Sequence, residues 1–72
     1  MTDSKAIRDL INEKGLKLKY VANYIGLSYY AFQQKIDNKR EFKTSEVTLL
    51  CQLLEIKSLS EKEKIFFATK VD

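Results

Sequence analysis

The chain has no histidine and no proline, a single cysteine, and glycine only at Gly15 and Gly26. Without histidine there can be no Ser-His or Cys-His nucleophile pair and no imidazole metal site. One cysteine rules out an internal disulfide and any multi-cysteine zinc site. Cys51 is expected to be a small buried apolar residue in a reducing compartment. The opening stretch MTDSKAIRDL is polar and lacks the apolar region of a secretory signal. No apolar run approaches the roughly 18 residues of a membrane span, so a cytoplasmic location and no membrane partner are expected. Nor does the sequence offer an activated nucleophile, a glycine-rich phosphate loop or a convergent acid–base pair. Neither enzymatic activity nor a cofactor is expected.

What is present is a 72-residue chain, enough for one domain with a modest core. Its net charge is only +3, but the charge is unevenly placed. Residues 14–43 hold seven basic side chains (Lys14, Lys17, Lys19, Lys35, Lys39, Arg40 and Lys43) against two acidic ones, Asp37 and Glu41, while each flank is acidic by one. A basic middle of this kind suits a surface that meets phosphate; ordinary solvated lysines are the plainer explanation.

The absence of proline and the helical spacing of apolar residues predict an all-α domain, with helices over about 4–14, 18–25, 28–37 and 44–56 and a last element after residue 58. Ile7, Leu10 and Ile11 line the first helix, and Gly15 is placed to end it. The second carries Leu18, Val21, Ala22 and Ile25 on one stripe and stops at Gly26, after which Leu27 is expected to be buried. Ser28 is a good N-cap for the third helix, anchored by Phe32 and Ile36, and Asn38 should end it in the left-handed conformation. In the following loop, NKREFKT, Phe42 is the one apolar residue and should pin the loop to the core.

The fourth helix has Glu46 in its first turn and two apolar stripes, one of Val47, Leu50, Cys51 and Leu54 and another of Leu49, Leu53 and Ile56. A helix apolar on two sides must be covered on two sides. In the last element Ser60 and Glu63 match a capping box ahead of Ile65, Phe66 and Phe67. Three consecutive large apolar residues cannot share one helical face, so either at least one points away from the core or the segment turns extended. Leu49, Leu53, Ile56, Ile65, Phe66 and Phe67 are therefore candidates for a protein interface, with 58–72 as the interaction segment.

The run VANYIGLSYYAFQQKI has a small residue, Ala22, a glycine four positions later, and an apolar residue six after that glycine, Phe32. That order fits two helices crossing closely over a glycine turn, a helix-turn-helix at about 18–37, with Val21, Ile25, Leu27, Phe32 and Ile36 filling the space between them. On these residues the chain resembles the Cro and repressor class of phage and bacterial regulators, which implies a small five-helix, lambda-repressor-like domain. The stretches DNKREF and EKIFFATKV are similar to those of Cro-like proteins of Gram-positive temperate phages, especially the modulator-of-repression proteins of lactococcal phages. The resemblance implies a regulator of a lysogeny switch that opposes the phage repressor by occupying operator DNA, by binding the repressor as an antirepressor, or by both. It also implies that the third helix lies in the major groove and that a homodimer reads paired half-sites.

Carried onto this sequence, the resemblance makes Tyr29, Tyr30, Gln33 and Gln34 candidates for base reading, and Lys17, Lys19, Ser28, Lys39, Arg40 and Lys43 candidates for phosphate contact. Two departures stand out. Where many relatives begin the first motif helix with Ser or Thr followed by Gln, this chain has Lys17 and Leu18, so a strong cap is missing there. The third helix has no arginine on its outer face, so either glutamine reads adenine, with tyrosine to phosphate or thymine methyl, or the helix is a weak DNA reader. Tyr29 lies near Ile36 on the helical wheel and could instead be partly buried packing. Tyr20 and Tyr24 suit a structural role as well as a phosphate contact.

Overall fold

The computed structural model describes residues 1–67, which form five helices: α1 (Ser4–Glu13), α2 (Leu18–Tyr24), α3 (Tyr29–Ile36), α4 (Thr44–Leu53) and α5 (Leu59–Phe66). The principal packings are α2 on α3, α2 on α4 and α1 on α5. Phe32, Ile7, Ile11, Ile36, Leu50, Leu54 and Val21 are wholly buried at the centre. No helix among the described residues is long and apolar enough to cross a membrane.

Four of the five helices end alike. Gly15 and Gly26 take φ of +70° and +81°, and the residues after them, Leu16 and Leu27, donate their N–H groups back to the carbonyls of Ile11 and Ala22. Asn38 and Glu55 do the same at φ of 63° and 58°, with Lys39 and Ile56 returning to Gln34 and Cys51. The backbone thus satisfies carbonyls left open at each helix end, and the apolar residue that follows the turn folds toward the core at Leu16, Leu27 and Ile56. Leu27 reaches only a half-buried position rather than the buried one expected of it.

Three further boundaries or burials depart from the sequence reading. Helix α4 stops at Leu53 instead of running to residue 56, because the turn at Glu55 sends Ile56 back into the core. Helix α5 is capped by Ser58, whose Oγ accepts the Glu61 N–H at 3.0 Å, so the Ser60–Glu63 box lies inside the helix. Cys51 is half-buried, not fully enclosed, and burial pushes its thiol above the usual range.

The interface candidates are also redistributed. Ile56, Ile65 and Phe66 are buried in the chain's own core, and Leu49 and Leu53 are half-buried against it. Helix α5 folds back far enough for Phe66 to meet Phe42 edge-on, with ring centroids 6.0 Å apart, while Phe42 meets Phe32 at 6.1 Å. Phe42 therefore pins its loop as expected. Of the six candidates, only Phe67 remains exposed, at 59%.

The N-terminal segment ties α3 to α5. Asp3 donates its N–H to the Ile65 carbonyl at 2.7 Å and caps α1 through its side chain. Buried Thr2 exchanges two hydrogen bonds with the Asn38 side chain, at 2.7 and 2.8 Å, and the Ser4 hydroxyl donates to the Ile36 carbonyl. Arg8 adds an ion pair to Asp37 at 3.0 Å. The end of α3 is thus gripped from behind by polar groups of the first eight residues.

Candidate nucleic-acid interface

Helix α3 has two unlike sides. Phe32, Lys35 and Ile36 are buried. Tyr30, one turn before Gln33 and Gln34 on the outward side, is 70% exposed, and the two glutamines are half-buried. Tyr29 is 41% exposed, the least of the four tyrosines, so it is partly covered as its packing alternative expects while part of it stays open to solvent. Tyr20 and Tyr24 on α2 are exposed as well. Ser28 caps the helix: its Oγ accepts the Ala31 N–H at 3.1 Å, which leaves its own proton free for an external acceptor.

The basic residues of 14–43 fall into two sets. Lys14 pairs with Glu55 at 3.1 Å, and Lys35 pairs with Glu46 at 2.7 Å inside the protein. Lys35 therefore cannot belong to a phosphate-facing surface. Lys17, Lys19, Lys39, Arg40 and Lys43 are all exposed, and none forms an ion pair among the described residues. Lys17 sits at the N-cap of α2 without a side-chain cap bond, as its residue type suggests. Lys39 and Arg40 follow α3, and Lys43 is the N-cap of α4.

Glu46 accepts at Oε1 from both the Lys35 ammonium, at 2.7 Å, and the Lys43 N–H, at 2.8 Å. Burial alone would push its carboxyl up. The Lys35 hydrogen bond, the Lys43 amide and the two ammonium charges outweigh that and hold it below the ordinary carboxylate range. The sequence signal for this pair lay in its positions: Lys35 is three residues after Phe32 and next to Ile36, on the buried face, and Glu46 is three after Lys43, where a helix accepts its own cap.

Beside this surface, Met1, Phe42, Phe66 and Phe67, with Arg40 and Lys62, line a groove of about 430 Å³. Leu59, which the helical pattern had not singled out, is 69% exposed at the start of α5. The described residues contain no group of three or more metal-ligating side chains. Comparisons of the chain with known protein families, with curated proteins and with solved structures find no match.

Proposed function

We propose that this chain is a transcriptional regulator that reads operator DNA by placing α3 in the major groove, in the setting of a phage lysogeny switch within a bacterial cytoplasm. The observation that carries the reading is the outward side of α3, where Tyr30, Gln33 and Gln34 are open to a ligand, together with five exposed, unpaired cations at 17, 19, 39, 40 and 43. A glutamine amide can bond adenine N6 and N7 together, tyrosine can meet a phosphate or a thymine methyl, and the lysines and Arg40 supply backbone affinity. One eight-residue helix reads few base pairs, so two copies on paired half-sites complete the recognition. The phage setting and the opposition to a repressor come from the resemblance to Cro-like proteins.

Selection of duplexes from a random pool by the intact chain tests this. Gln33→Ala and Gln34→Ala are each expected to relax one base position of the selected sequence by about 1–3 kcal/mol. Arg40→Ala and Lys43→Ala should weaken all sequences alike. Glutamine variants that select the same sequence as the parent would sink the assignment of α3.

A second reading, capture of the phage repressor, keeps one supporting observation: Phe67 and Leu59 are exposed large apolar side chains on the α5 side of the molecule. Sedimentation of the chain alone and with that repressor distinguishes a homodimer, a heterocomplex and a monomer.

A further inference from the structure

We propose that the buried Lys35–Glu46 pair is a positioning device that sets the register of α3 against the loop after it, so that the reading side chains and the phosphate-facing cations are presented together. Its geometry stands by itself, and its consequence for recognition rests on the DNA reading above. A single carboxylate oxygen, Glu46 Oε1, holds the Lys35 ammonium at 2.7 Å and the Lys43 N–H at 2.8 Å, tying together the two ends of the segment 36–42. That segment carries Lys39 and Arg40, and Lys43 closes it.

Space-filling is a poor explanation for the pair. Two buried charges lose their hydration, and apolar residues of similar volume are often as stable or more so. What an apolar pair lacks is direction. Successive helical residues are about 100° apart, so turning α3 by one residue would carry the Lys35 ammonium off the carboxylate, whereas two methyl-bearing side chains would tolerate the slip. Phe32 and Ile36 anchor α3 in the core and Thr2, Ser4 and Arg8 hold its end, but among the described residues only the Lys35–Glu46 side-chain bond joins α3 to the start of α4.

The test uses the full chain with Lys35→Met/Glu46→Gln, in which glutamine keeps an acceptor for the Lys43 N–H and methionine fills the lysine volume. Each single variant leaves a buried charge without its partner and is expected to melt below the double variant. In the double variant the amides of Asp37, Asn38 and Lys39, bonded to the carbonyls of Gln33, Lys35 and Gln34, should exchange with solvent about tenfold faster, with α1 amides unchanged. Its preference for the selected duplex over random DNA should fall by about tenfold, while its affinity for random DNA holds. Unchanged exchange at 37–39 overturns the proposal. So does faster exchange with undiminished preference in a chain that selects DNA. Faster exchange in a protein whose parent selects no duplex supports the positioning role and sinks the DNA reading instead. If the double variant does not fold, Glu46→Asp, which keeps both charges but shortens the reach, serves as the second variant under the same exchange criterion.

Discussion

Helix α3 buries Phe32, Lys35 and Ile36 behind it and leaves Tyr30 in solvent in front, with Gln33 and Gln34 at the margin. Behind, polar groups find partners within the chain: Lys35 with Glu46, Asn38 with Thr2, the Ser4 hydroxyl with the Ile36 carbonyl, Arg8 with Asp37. Among the described residues no buried side-chain nitrogen or oxygen lacks a partner. In front, hydrogen-bonding groups are left for something outside the chain. A core-completing helix needs the first arrangement; the second is also what a solvated outer face looks like, and it is the side that the proposed DNA reading uses. If α3 reads DNA as proposed, stability and recognition are separated by side on one short helix, and substitutions on the two sides should fail differently.

The largest expected effect lies behind. Phe32→Ala removes a wholly buried ring and should cost about 3–5 kcal/mol in chemical denaturation, much of the stability of so small a domain. Next is Asn38→Ala, which loses both bonds to Thr2 and forces alanine into φ of 63°; about 2–3 kcal/mol is expected. Asn38→Gly, free of the backbone strain, should lose about half as much. If glycine and alanine cost the same, the Thr2 bonds alone hold that turn.

A smaller effect follows from pH. The Glu46 carboxyl is held below its unfolded value, so its contribution is fully present above the ordinary carboxylate pKa and is lost as pH falls through the lower folded value. Stability measured across that acid window should decline in the parent and lose this component in Glu46→Gln. The smallest effect on stability belongs to the front: Tyr30→Ala should change it by no more than about 0.5 kcal/mol while weakening DNA binding. A Tyr30 variant that unfolds would break the comparison outright.

Much of the architecture was legible from spacing. The helical stripes, the glycine turns and the asparagine turn after α3 follow from apolar periodicity and from which residues accept positive φ. The end of α4 was hidden because Glu55, neither glycine nor asparagine, makes its turn. The start of α5 was ambiguous because SLSEKE holds two serines, each followed three residues later by glutamate, and only the fold selects Ser58. One apolar face of α4 looked unpartnered because a helical wheel cannot show Ile56 turning back into the core after Glu55, or Leu49 and Leu53 lying half-buried against it. Within the candidate site, the exposure of Tyr30 followed from the helical period. The burial of Lys35 was legible in the same period, three residues after Phe32, but counting charge along a chain treats every lysine as solvated and passes over it.

Whether the front of the molecule meets DNA, as proposed, is read from the affinity of the intact chain for duplex DNA as salt is raised. With the five exposed, unpaired cations of 17–43 in contact with phosphate, log affinity should fall against log salt with a slope of about −4 to −5 per subunit, and about twice that for a dimer. A slope near zero, or no binding at low salt, would contradict the account.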